Sequence, residues 1–99
     1  MDVEYRYQGI LFEWDSDKAA ANVVKHGVSF EAACEAFFDP FVCIADEQVV
    51  GPEVRDTIVG MTLRWKVLCV IYTIRVGDRF RIISAREANP TERQLYEDQ

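Results

Sequence analysis

A helix bracketed by its own start and stop signals constrains this chain more than any other feature. Residues Phe12–Phe30 read FEWDSDKAAANVVKHGVSF. Asp15 follows an aromatic strand end, Phe12-Glu13-Trp14, and its carboxylate can accept from the unpaired N–H groups of a first helical turn. Three alanines then favour helix, and Gly27 stands where a left-handed residue closes one. The pattern predicts a helix over Ser16–His26. Lys18, Asn22 and His26 recur at i, i+4 and i+8 and share one face, with Lys25 beside it. Ala19, Ala20, Val23 and Val24 form the opposite stripe, which is expected to face the core. The polar, basic face then reads as a working surface.

The rest of the chain organises around that helix. Tyr5–Trp14 reads as one opening strand, with Gly9 as a bulge or bend. Ser29 can cap a second helix over Phe30–Phe38, whose Phe30, Ala33, Phe37 and Phe38 make an apolar stripe. Asp39-Pro40 ends it, because proline disfavours helix in the residue before it. A short strand over Phe41–Ala45 precedes an acidic loop around Asp46, Glu47, Gly51 and Pro52. Arg55–Thr62 and Trp65–Arg75 are the next strands, and the second is apolar on both faces, as a central strand is. Gly77-Asp78 is a hairpin signal leading into Arg79–Ala85. Asn89-Pro90-Thr91-Glu92 has the form of a helix start, with Asn as cap, Pro at the first position and Glu at the third. The last helix is predicted over Pro90–Glu97. The order β-α-α-β-β-β-β-α gives an α+β layer: a mainly antiparallel sheet with two helices on one face.

Composition sets outer limits. Ninety-nine residues suit a single domain, 1–99, with one core. An apolar share of 49% excludes a disordered chain. No run approaches the roughly 20 apolar residues of a membrane span. The opening MDVEYRYQ is too polar and acidic for a signal peptide, so the cytoplasm is expected and a membrane partner is not. Cys34, Cys43 and Cys69 are odd in number, widely spaced and apolar in surroundings, and read as buried reduced thiols. With one histidine and no CxxC, no metal or cofactor site is expected.

Net charge is −6, which argues against a polyanion partner, but the distribution qualifies it. Residues 1–50 hold three basic and ten acidic side chains, and residues 51–99 hold eight and seven. From Arg64 to Arg86 there are six basic residues against one acid, Asp78. Local clustering of that kind can bind an anion even when long-range steering is adverse.

These residues carry a resemblance. F-E-W-D-x-x-K-x-x-x-N-x-x-K-H-G-V-x-F-E-x-A at Phe12–Ala33, Asp39-Pro40, Glu53-x-Arg55 with Gly60, and Val70–Arg75 follow in order. R-I-I-S-A-R at Arg81–Arg86, then Glu92-Arg93 and Tyr96, complete the set. The chain resembles the BrnT family of type II toxins, ribonucleases similar to the RelE group. The resemblance implies a RelE-like α+β fold and endoribonuclease activity that inhibits translation and growth. It also implies a cognate antitoxin bound in a hetero-oligomer, expected as a heterotetramer, with operator DNA reached only through the antitoxin.

The chemistry constrains which residues could serve. Metal-free RNA cleavage uses the 2′-hydroxyl as nucleophile, so a protein must take its proton, stabilise charge on phosphorus and protonate the leaving 5′-oxygen. Arginine suits the middle task because its planar fork donates in pairs to phosphate oxygens and keeps its charge. Histidine, with an ordinary pKa of about 6.5, suits the outer two. The catalytic candidates are His26, Lys25, Arg55, Tyr72 and Arg86; Lys18, Arg64, Arg79, Arg81 and Arg93 are candidate RNA contacts. Each has a bland counterpart. His26 at a helix end can simply cap carbonyls, Lys18 can be a solvated cation, and Tyr72 can be a core aromatic. By alternation Arg79 and Arg81 point one way from their strand and Arg86 the other, and the first two can dress an edge strand against aggregation. Trp14 and Trp65 are expected in the core. A non-catalytic homologue that binds an antitoxin as co-repressor is the alternative to the enzyme.

Overall fold

The computed structural model describes residues 1–99. Six strands form one sheet in the order β1-β2-β6-β5-β4-β3, from β1 (Asp2–Tyr7), β2 (Ile10–Asp15), β3 (Cys43–Val50), β4 (Glu53–Met61), β5 (Val67–Arg75) and β6 (Arg79–Glu87). Helices α1 (Ser16–His26) and α2 (Phe30–Ala36) cover one face, which we term the front. The short α3 (Pro90–Glu97) lies against β3 and β4 on the other. The α+β class and the order of helices match the sequence reading, and β5 is an interior strand as its apolar faces required.

The predicted opening strand is instead a hairpin. Gln8 and Gly9 both adopt positive φ, 50° and 82°, the pairing that lets a two-residue turn follow the twist of its strands. Folding back there pairs Asp2 through Tyr7 with Asp15 through Ile10. β2 then joins β6 in parallel at Phe12–Phe80 and Glu13–Arg81, the one parallel contact in an otherwise antiparallel sheet. The predicted acidic loop is also strand: β3 runs through Asp46 and Glu47 as far as Val50 and turns at Gly51-Pro52.

Phe12, Trp14, Phe30, Leu68, Val70 and Ile82 are buried between sheet and helices, and Tyr72 stacks there on Phe80 and edge-on against Phe37. Gly60 is what brings α2 so close to β4, because a side-chain carbon there would overlap the Ala36 carbonyl oxygen. All three helix starts are capped as the sequence predicted: Asp15 accepts from Lys18 N, Ser29 from Ala32 N, and Asn89 and Glu92 form a reciprocal capping box.

Helix α1 is rotated from its predicted setting. Val24 is 89% exposed and Val23 and Ala20 also face solvent, whereas Asn22 is buried. The reason lies in the sheet. β2 ends at Asp15, so beyond that point β6 has no neighbour on that side. The Asn22 amide takes the missing strand's place, donating to Ala85 O at 2.7 Å and Val28 O at 2.9 Å and accepting from Ala85 N at 3.2 Å. Buried backbone groups need partners, and here that requirement outweighs the burial of two valines.

Candidate functional site

A bulge in β6 decides where its arginines point. Tyr72 pairs with Ile82 but Ile71 pairs with Ser84, so Ile83 is an extra residue. Ile82 and Ala85, three apart, therefore both enter the core. Alternation restarts beyond the bulge, and Arg86 emerges on the back face, the same face as Arg79 and Arg81. The predicted opposition between them is corrected by that single residue.

The back face is a lattice of ion pairs. Glu13, buried, accepts from Arg81 at 2.7 Å and Arg79 at 3.4 Å. Arg81 also reaches Asp2 at 3.1 Å and Arg79 reaches Glu4 at 3.5 Å. β6 is interior, so these arginines are counter-ions of a buried carboxylate, not guards of an edge. Arg55 is held by Glu53 at 2.8 Å. Arg86 makes a two-pronged contact with Glu92 of α3, at 2.7 and 2.8 Å. Its fork lowers the Glu92 carboxyl pKa, and the same bonds raise that of the guanidinium. Cys69 lies beside this pair, its thiol pushed up to about 11 by burial and the neighbouring Glu92. Cys34, Cys43 and Cys69 are all free, Cys34 and Cys69 buried and Cys43 half-buried. Arg86, Glu92, Cys69, Thr57 and Gln48 line a cleft under α3.

The opposite pattern holds at one end of the sheet, where the β4–β5 loop, the end of α1 and the end of β6 meet. Lys25 is exposed and His26 half-buried at the close of α1, and Arg64 is exposed in the loop. Lys18, Lys25, Arg64 and Arg93 form no ion pair. Arg64 and Lys66 line a cleft with Gly27 and Ser29, next in sequence to His26.

The five catalytic candidates do not form one cluster. Lys25, His26 and Arg86 lie toward the same end of the sheet, but Arg86 projects from the back and α1 lies on the front. Arg55 is four residues along β4 from Val59, which lies across β5 from Arg86, about 13 Å at strand spacing. Tyr72 is a buried front-face aromatic whose hydroxyl pKa is raised by burial and by nearby Asp56. Lys18 and Arg93 stand apart on exposed helix surfaces. Sequence reasoning passed over Glu92 because its capping role already accounted for it. It placed Trp65 in the core, whereas Trp65 is 82% exposed.

The family model for the ribonuclease toxin BrnT of type II toxin–antitoxin systems matches residues 14–92. The chain belongs to the BrnT family. BrnT membership means a ribonuclease toxin in general terms, and a toxin–antitoxin family implies a cognate antitoxin. A crystal structure of the Brucella abortus ribonuclease toxin BrnT shares the fold, at 22% identity and a TM-score of 0.52, covering 77% of this chain and 92% of that one. Among curated proteins none matches the sequence. The matched span contains Lys25, His26, Arg55, Arg64, Tyr72, Arg86 and Glu92.

Proposed function

We propose that this chain is a cytoplasmic endoribonuclease toxin that cuts messenger RNA by in-line attack of the 2′-hydroxyl, without a bound metal, and so inhibits translation and growth. The family match over residues 14–92 carries the reading. Supporting it, Lys25, His26, Arg64 and Arg86 lie toward one end of the sheet. In this scheme His26 moves the proton at the attacking or leaving oxygen, with Lys25 beside it. Arg86, on the opposite face, holds a neighbouring phosphate of the strand once RNA displaces Glu92. Arg55 and Tyr72, held in the fold, contribute by position rather than by touching the phosphorus. A cognate antitoxin neutralises the toxin in a hetero-oligomer, expected as a heterotetramer, and contacts operator DNA; the net charge of −6 suits a basic antitoxin segment.

A second reading, a non-catalytic antitoxin-binding co-repressor, draws on one observation: every back-face arginine named above already has a carboxylate partner. RNA cleavage in EDTA separates the two. Wild type should cleave, and His26→Ala and Arg86→Ala, compared at matched stability, should each lose on the order of 10²-fold or more. Cleavage retained by both variants removes the proposed site, and an inactive wild type on free and ribosome-bound RNA leaves the co-repressor.

A further inference from the structure

We infer that the β4–β5 loop is a platform on which an unpaired base of the RNA stacks, with Trp65 as its face and Arg64 and Lys66 as its phosphate contacts. The inference rests on the ribonuclease reading above and adds to it a binding residue outside the catalytic set.

Three observations carry it. Trp65 has φ +66°, a left-handed conformation that a bulky side chain rarely adopts and that clusters at functional positions when it does. The loop is nevertheless rigid, because every backbone amide from Thr62 to Lys66 is bonded. Thr62 N donates to Lys66 O at 2.8 Å and Trp65 N to Thr62 O at 3.1 Å. Arg64 N and Lys66 N donate to the buried Thr62 hydroxyl at 3.2 and 3.3 Å, and Leu63 N donates to Glu35 at 3.0 Å. The backbone that carries Trp65 is thus firm, and its indole stands in solvent at the tip of the hairpin, outside the core cluster.

The surroundings differ on the two sides of the loop. On one side Trp65, Leu63, Tyr7, Phe38 and Pro40 line a cleft of about 270 Å³ with Glu35 and Asp39 at its polar edge. Asp39 is taken up by Phe41 N, Met61 N and the Tyr96 hydroxyl, so Glu35 is the carboxylate left to repel phosphate and accept from the amino group of an uncharged base. On the other side Arg64 and Lys66 line the cleft that adjoins Gly27, together with Glu31 and Glu35 of α2, so its two cations stand among two carboxylates. Arg64 has no ion pair, and Lys66 meets only the exposed Glu87, a contact weak enough to exchange for phosphate. Aromatic stacking flanked by cations is how single strands are held without sequence readout. A strand stacked on Trp65 with its phosphates over Arg64 runs along the cleft toward Gly27, the neighbour of His26.

The test uses Trp65 itself as reporter, since Trp14, the second tryptophan, is buried. The probe is a short single-stranded RNA, 2′-O-methylated throughout so that it cannot be cut, compared with its duplex. Single strand should quench Trp65 emission and duplex should not, because paired bases are unavailable for stacking. Trp65→Gly should melt at or above wild type, since glycine accepts this φ freely, yet bind the single strand about 10- to 100-fold more weakly. Trp65→Phe should restore most of that affinity. Wild-type affinity in Trp65→Gly, or equal quenching by duplex, overturns the platform while leaving RNA cleavage by the wild type intact. Quenching only by the operon-neighbour antitoxin makes the loop a protein-docking surface and also overturns it. A wild type that neither binds nor cuts RNA instead overturns the ribonuclease reading beneath it.

Discussion

The back face of the sheet and the end where its β4–β5 loop meets α1 carry cations of very different standing. On the back face Arg55, Arg79, Arg81 and Arg86 each lie within 3.5 Å of a carboxylate, contributed by the same strand, a neighbouring strand or α3. At the loop end Lys25 and Arg64 have no such partner and stand exposed. Strands bring together residues distant in sequence, so Arg79, Arg81 and Arg86 meet carboxylates from β1, β2 and α3, whereas Arg6 and Arg75, exposed near the ends of β1 and β5, have none. In the β4–β5 turn Lys66 reaches only the exposed Glu87, and Arg64 beside it and Lys25 at the end of α1 have no partner. The six-to-one excess of basic residues between Arg64 and Arg86 therefore overstates the charge available to a polyanion. What remains for an incoming phosphate lies where regular structure stops.

The sharpest way to break this contrast is at Glu13. Its side chain is 8% exposed and serves two arginines. If the back-face arginines are structural, Glu13→Gln should lower unfolding free energy by about 2–3 kcal/mol, short of the roughly 3–5 for a fully buried pair because Arg79 is half in water. Denaturant titration measures it. A loss under about 0.5 kcal/mol would mean that Arg79 and Arg81 find solvent easily and remain available for RNA.

That contrast was only partly legible in the sequence. Local rules read well: Asp15, Ser29 and Asn89 cap the helices predicted for them, and Pro90–Glu97 is helical over those residues. Rules that depend on a neighbour read poorly. Gln8-Gly9 resembles the Asn-Gly hairpin signal closely enough to have marked the turn, but the continuous apolar-aromatic pattern around it concealed the fold-back. Nothing in R-I-I-S-A-R announces that Ile83 is a bulge, and that residue alone sets the face on which Arg86 emerges. Val23 and Val24 obeyed helical periodicity and still face solvent, because Asn22 was needed to satisfy a strand edge five elements later in the chain. Trp65 looked like core by residue type, but it stands 82% exposed in a turn where its φ is positive.

A gentler test sharpens the other half of the comparison. Arg64 is exposed and unpaired, so Arg64→Ala should leave stability within about 0.5 kcal/mol. The same change should weaken RNA binding across sequences alike and reduce the slope of log affinity against log salt by about 0.7, the value for one phosphate contact on a single strand. Arg55→Ala, removing a cation already matched by Glu53, should leave that slope unchanged. Equal slopes for both variants would show that paired and free arginines contribute alike, and the distinction would lose its meaning for function.

The smallest effect concerns the one back-face pair proposed to open. Glu92 has a carboxyl pKa below its ordinary 4.5, chiefly because Arg86 hydrogen-bonds its ionised form, with Asn89 N adding a further bond. A lowered carboxyl pKa stabilises the fold fully above about pH 4.5, and that stabilisation is lost as pH falls through the folded value. Arg86 is 38% exposed, so solvent screening reduces the contribution to about 0.5–1 kcal/mol. Glu92→Gln should therefore lower stability slightly at neutral pH and flatten the acid limb of the stability profile below pH 4.5, while freeing the Arg86 fork. RNA affinity at neutral pH should rise in the same variant, because phosphate no longer competes with a carboxylate for that fork. A flattened acid limb without any gain in RNA affinity would place Arg86 with Arg55, Arg79 and Arg81 as a structural cation, and would leave the unpaired loop end as the phosphate-binding region.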